Sequence, residues 1–147
     1  MPTRSIEKTF RFDAGHRALG FDYKKEETIH GHTWRLTVTI EATQELGERE
    51  SIFDTNDLAV VVNSLIDQVD HSFIIWSLDP IYPGLKHLCK SAGIDDKIFP
   101  VDFNPTLEGL AKYFFEKISE GMQVGGVVVR RARLECATTL SATHERT

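Results

Sequence analysis

Two stretches in the first third of the chain alternate apolar and polar residues. Phe10, Phe12 and Ala14 share one parity, and Trp34, Leu36, Val38 and Ile40 share one parity further on. A period of two marks a strand with one buried face, so strands are predicted over 5–14 and 32–43. A polar loop over 20–29 separates them, and a charged turn follows over 44–51. The period then lengthens. Asp54-Thr55-Asn56-Asp57 offers helix-capping side chains, and Leu58, Val61, Val62, Leu65, Ile66 and Val69 recur at helical spacing up to Asp70-His71. A second helix is predicted from Asn104-Pro105-Thr106, with Leu107, Leu110, Ala111, Phe114, Phe115 and Ile118 as its stripe and Gly125-Gly126 beyond its end. Strands over 127–135 and 137–144 complete the pattern. The expectation is an α+β fold, ββααββ, with a four-stranded antiparallel sheet and two helices on one face. Such a sheet has two open edges, which predicts pairing between copies. Residues 77–100, punctuated by Pro and Gly, are long for a connection and predict one short helical turn over 85–92.

Bulk numbers narrow the class. A chain of 147 residues with 41% hydrophobic and 27% charged residues suits a single domain, 1–147, with one core. The net charge of -5, with no basic stripe, argues against a nucleic-acid partner. No apolar run reaches the roughly 18 residues of a membrane span. The opening residues lack a leader pattern, and Cys89 and Cys136 stand far apart. A cytoplasmic, reducing setting is therefore expected, with neither a disulfide framework nor a thiolate metal site.

The chemistry gathers on histidine. His30 and His32 flank Gly31 at the head of the second strand, so their side chains project from one face. His16 continues the parity of Phe10, Phe12 and Ala14. If the two strands pair, three imidazoles converge. Three neutral ligands with an open fourth position suit zinc in a catalytic rather than a structural role. An H-E-x-x-H helix is absent, which argues against a zinc hydrolase of that type.

Six ordered pieces carry a family resemblance: Phe12-Asp13-Ala14-Gly15-His16, His30-Gly31-His32, Phe53-Asp54 with Leu58, Val69-Asp70-His71, Asn104-Pro105-Thr106-Leu107-Glu108, and Leu134-Glu135. Together they resemble the 6-pyruvoyl-tetrahydropterin synthase and 6-carboxytetrahydropterin synthase superfamily, over nearly the whole chain. The resemblance implies the tunnelling fold, in which trimers form a sheet barrel and two trimers stack into a hexamer with active sites between subunits. It implies His16, His30 and His32 as zinc ligands, Asp70 and His71 as a catalytic pair, Glu135 as the pterin anchor and Thr106 on the pterin pocket. A carboxylate accepting two parallel N–H bonds suits a pterin edge, and Asp70 would fix a tautomer of His71. Simpler roles exist for several of these residues: Asp70-His71 as a helix terminus, Glu135 as an exposed strand residue, and Thr106 and Asp54 as caps. His87, His144, Lys24 and Lys25 read as solvated.

One departure bears on the chemistry. Standard members of the superfamily carry a cysteine four residues before His30, where this chain has Glu26, followed by Glu27. The chain resembles glutamate-bearing variants whose carboxylate sits three before that histidine, so Glu27 is the first choice for the catalytic carboxylate and Glu26 the second. A carboxylate is a weaker base than a thiolate by about four pH units. It suits a hydroxyl made acidic by zinc better than a carbon acid. This points to retro-aldol cleavage of 7,8-dihydroneopterin triphosphate, or of dihydroneopterin, to 6-hydroxymethyl-7,8-dihydropterin, a folate precursor. The alternatives are formation of a 6-pyruvoyl or 6-carboxy product, or pterin binding without turnover.

Overall fold

Phe10, Phe12 and Ala14 on one strand, and Trp34, Leu36, Val38 and Ile40 on the next, turn to one side and are buried together. The computed structural model describes residues 2–22 and 24–147. Strand β1 (Ser5–His16) pairs antiparallel with β2 (His30–Ala42) from Ser5 opposite Glu41 to His16 opposite His30. Both strands therefore extend further towards the histidines than the apolar pattern marks. Their ladder carries Trp34 into the core, where its indole N–H donates to the Ala14 carbonyl at 3.0 Å.

Helix α1 (Thr55–Val69) starts where the capping residues lie: the Asp54 carboxylate accepts from the Asn56 amide at 2.9 Å. It buries Leu58, Val62, Ile66 and Val69. The next elements correct the expected four-stranded antiparallel sheet with two helices. Strand β3 (Phe73–Trp76) runs parallel to the end of β1, helix α2 (Tyr82–Ser91) follows, and β4 (Ile98–Val101) runs parallel to β3. The long connection is thus a β-α-β crossover, which parallel strands require. Alternation did not reveal β3 because Phe73-Ile74-Ile75-Trp76 is apolar throughout, as strands of parallel sheets are.

Helix α3 (Leu107–Gly121) lays Leu110, Ala111, Phe114, Phe115 and Ile118 on the sheet, with the Phe114 ring 5.5 Å from that of Phe12. Strands β5 (Val127–Ala137) and β6 (Leu140–Glu145) form the last hairpin. On β6 the half-buried His144 ring lies 4.9 Å from that of Phe115, so this histidine packs where the sequence suggested a solvated one. Among the described residues the sheet has six strands in the order β4-β3-β1-β2-β5-β6, mixed rather than antiparallel, and three α-helices accompany it. Its outer strands, β4 and β6, leave edges open to another chain. Arg11, Asp13, Thr33 and Arg35 point away from the apolar core and are exposed.

The three strands nearest the histidines meet at a glycine. A Cβ on Gly15 would lie 2.9 Å from the Phe73 ring and 3.2 Å from the His30 carbonyl. Gly31, between the two paired histidines, meets only ordinary contacts, the nearest at 3.5 Å. Close backbone approach therefore belongs to Gly15 rather than to Gly31.

Candidate metal centre and adjoining cleft

The β1–β2 register determines the centre. His16 lies directly opposite His30, and His32 lies opposite Ala14, one step along the same face. The ring centroids are 4.5 Å apart for His16 and His30, 5.2 Å for His16 and His32, and 4.9 Å for His30 and His32. Ligand atoms of the three rings all lie within 4.8 Å of one another.

Backbone carbonyls orient two of the rings. His16 Nδ1 donates to Pro105 O at 2.9 Å, and His30 Nδ1 donates to Thr28 O at 2.8 Å. A carbonyl only accepts, so each ring carries its proton on Nδ1 and presents the Nε2 lone pair. His16 Nε2 is buried and has no hydrogen-bond partner among the described residues. Burial of a polar atom without a partner is costly, and a cation shared with His30 and His32 would satisfy it. The all-imidazole donor set suits zinc and related transition ions.

Burial, with smaller contributions from His30 and His32, lowers the His16 pKa to about 4; only the Pro105 carbonyl opposes the shift. Burial and the charge of His30 also lower His32, while Glu26 pulls it the other way. Neutral imidazoles are therefore available as ligands at neutral pH. The same shift predicts a stability change in metal-free protein. Above about pH 6.5 His16 is neutral in both folded and unfolded chains. Between pH 6.5 and 4 the unfolded chain takes up a proton that the folded chain refuses, and below 4 both carry it. Stability should fall by about 3 kcal/mol as pH drops through that window and then level off for this group. Urea titrations of chelated protein at pH 7.5 and 4.5 would check this, and equal midpoints would contradict it.

A cleft of about 450 Å³ opens over the centre, lined by His16, His32, Trp34, Glu26, Thr106 and Cys136 among others. Thr106 caps α3, its Oγ1 accepting from the Gly109 amide at 3.0 Å, and also faces the cleft. The two glutamates sit on a 3-10 turn, Lys24–Glu27. Glu26 lines the cleft. The Glu27 carboxylate accepts from Lys24 Nζ at 2.9 Å, and this bond leads the interactions that hold its pKa below the ordinary carboxylate value. Geometry therefore brings Glu26, the second choice from the sequence, to the histidines and ties Glu27 to Lys24.

Asp70, His71 and Glu135 lie elsewhere. His71 has a left-handed backbone (φ 60°), and its Nδ1 donates to Asp70 Oδ2 at 3.0 Å. Asp70 Oδ1 accepts from the Asp13 amide at 2.9 Å, and that bond is the main reason its pKa is lowered. His71 borders a shallow cleft with Asp13, Gly15, Gly31, His32 and Thr33. Glu135 lies with Arg11, Thr33 and Arg35 in the next one along, and Arg133 Nη1 donates to its carboxylate at 2.6 Å. Thr33 borders both of these clefts, while Cys136 borders both the Glu135 cleft and the histidine cleft. Within one chain, then, His71 and Glu135 do not line the cleft over the centre, although His32 borders both that cleft and the one at His71. Cys136 had no site role in the sequence reading, although it directly follows Glu135, the residue that the resemblance marks as the pterin anchor.

Fold and site together define an α+β chain with a three-histidine centre at the junction of two antiparallel strands. The chain belongs to the 6-pyruvoyl tetrahydropterin synthase family, which it matches over residues 5–147. It is 37% identical over 137 residues to the 6-carboxy-5,6,7,8-tetrahydropterin synthase of Aquifex aeolicus, an alignment covering 84% of this chain and 83% of that one. It is 30% identical to the enzyme of the same name from Haemophilus influenzae, with 81% and 84% covered. Among solved structures, an uncharacterized protein from Wolinella succinogenes superposes with a TM-score of 0.86 at 22% identity, with both chains fully covered. The 6-pyruvoyl tetrahydropterin synthase of Caenorhabditis elegans does so with a TM-score of 0.71 at 21% identity, covering 100% of this chain and 98% of that one. Among the described residues no helix is long and apolar enough to cross a membrane.

Proposed function

We propose that this chain is a zinc-dependent pterin lyase that shortens the side chain of 7,8-dihydroneopterin triphosphate, or of dihydroneopterin, by retro-aldol cleavage. The observation that carries this reading is the carboxylate of Glu26 in the histidine cleft, at the position where a thiol is the family's usual base. His16, His30 and His32 would hold the metal, whose contribution when bound is to polarise the side-chain oxygens and acidify a hydroxyl. Glu26 takes the proton of the C2' hydroxyl. The C1'–C2' bond breaks, C2' leaves as an aldehyde, and the electron pair passes into the C6–N5 imine of the ring. C1' then regains a proton, giving 6-hydroxymethyl-7,8-dihydropterin with no net oxidation or reduction.

The proton donor is the Asp70–His71 pair of a neighbouring copy. Its 74% exposed imidazole, in the turn between α1 and β3, is suited to reach another chain's cleft. Glu135 anchors the pterin edge by accepting two N–H bonds, and Thr106 borders the ring. The open β4 and β6 edges support closure into a homo-oligomer, with a hexamer of two stacked trimers as the expected form.

A second reading, 6-carboxytetrahydropterin synthase activity, is favoured by the relatives of that name at 37% and 30% identity. A glutamate among the catalytic residues has a parallel in a Plasmodium vivax 6-pyruvoyltetrahydropterin synthase variant described as a catalytic residue mutant with glutamate replaced by alanine. Incubating zinc-loaded protein with both neopterin substrates and identifying the products by mass separates the readings. The expected product is 6-hydroxymethyl-7,8-dihydropterin. A 6-carboxy or 6-pyruvoyl product alone would overturn the cleavage proposal, and tight binding without turnover would leave a pterin-binding protein.

A further inference from the structure

Asp79 is the most deeply buried carboxylate among the described residues, and its partner reaches towards the functional site. Its side chain is fully buried, and Arg17 grips it with two parallel hydrogen bonds, Nε to Oδ2 at 2.7 Å and Nη2 to Oδ1 at 2.9 Å. Asp79 Oδ1 also accepts from the Ile81 amide at 3.0 Å, just before α2. Burial alone would raise the Asp79 carboxyl, but the Arg17 and Ile81 bonds and the guanidinium charge outweigh it and hold the pKa low. The pair is therefore ionised, and it ties the start of the 77–100 crossover to the residue after His16.

Arg17 has a third contact. Its Nη1 donates to the Glu27 carbonyl at 2.8 Å, and the neighbouring Ala18 amide donates to the Glu26 carbonyl at 2.8 Å. Successive carbonyls of the glutamate turn are thus fastened to successive residues of the segment leaving β1. A guanidinium with fixed fork geometry transmits position where a flexible ammonium does not.

We propose that Arg17 and Asp79 are positioning residues, through which the β3–α2 segment holds the Glu26 turn at the mouth of the three-histidine cleft. This gives the crossover a role in the reaction, and the catalytic half of the inference rests on the proposed function of Glu26. Neither residue lines the histidine cleft, so their effect on turnover is indirect, and retained metal content separates an effect through the turn from one through His16, the neighbour of Arg17.

Two conservative variants test this while limiting damage to the fold. Asp79→Asn keeps the shape and the acceptor for Ile81; Arg17→Lys keeps the charge and loses the fork. Both should retain the metal content of the parent protein. Amide exchange at Ala18 should quicken tenfold or more while the amides of α1 and α3 are unchanged. With the substrate that the parent protein turns over, kcat should fall about 10- to 100-fold with KM within about threefold. In a Glu26→Gln background the same changes should cost less than twofold, because residues acting through one group are not additive. Additive losses in that background, or unchanged exchange at Ala18, would overturn the proposal. If Glu26→Gln alone keeps full kcat, the functional reading fails and the catalytic half of the inference with it, while Ala18 exchange still decides whether the brace exists.

Discussion

Replacing His32 with alanine should leave a folded protein that no longer holds metal. His32 is half buried and makes no side-chain hydrogen bond among the described residues, whereas His16 is packed in the core, so His32 is the cleaner residue to remove. Losing an outer partner of a ligand typically weakens a metal site 10- to 100-fold; losing one of three ligands should cost on the order of a thousandfold or more. The parent protein should then melt at a higher temperature with zinc than with chelator, since a ligand that binds only the folded state stabilises it. The variant should show no such difference. Retention of full metal content in His32→Ala would place the ion elsewhere.

Exchanging the two glutamates for glutamine should give unequal results, and this is the second large effect. Glu26→Gln removes the one of the two carboxylates that lines the cleft. A positioned general base is worth about 10²- to 10⁴-fold, so kcat should fall by that order with metal content unchanged. Glu27→Gln weakens a bond to Lys24 on the turn and should lower kcat less than tenfold. Steady-state kinetics on both variants, with metal analysis alongside, would check this. The reverse ranking would make Glu27 the base and require the turn to rotate in the working enzyme.

That ranking is where the sequence was least informative. Strand parity is strict, so the convergence of His16, His30 and His32 could be read from spacing alone, and the register bears it out. A short 3-10 turn has no comparable rule. Which of two adjacent glutamates faces the cleft depends on Lys24, which lies on the turn, and on Arg17, whose hold on the turn depends on Asp79, 62 positions further along. The same limit hid β3 and β4. Each has four residues, and β3 lacks alternation, so the pattern suggested a connection with one helical turn where a parallel crossover stands. The apolar run Phe73-Ile74-Ile75-Trp76 was the available signal. The capped helices were legible because cap and stripe agree: Asp54 and Thr106 both cap where they were expected to.

Asp70, His71 and Glu135 illustrate a different limit. Family resemblance singles them out, yet in one chain His71 and Glu135 line neighbouring clefts that share only His32 and Cys136 with the histidine cleft. Resemblance alone does not say which copy supplies which residue.

The most direct test of the central claim is elemental analysis of protein purified without chelators or affinity metals, paired with the His32→Ala variant. One zinc or related transition ion per chain in the parent, and less than a tenth of that in the variant, is the predicted result. A parent protein without stoichiometric metal that still turns over a neopterin substrate would contradict it.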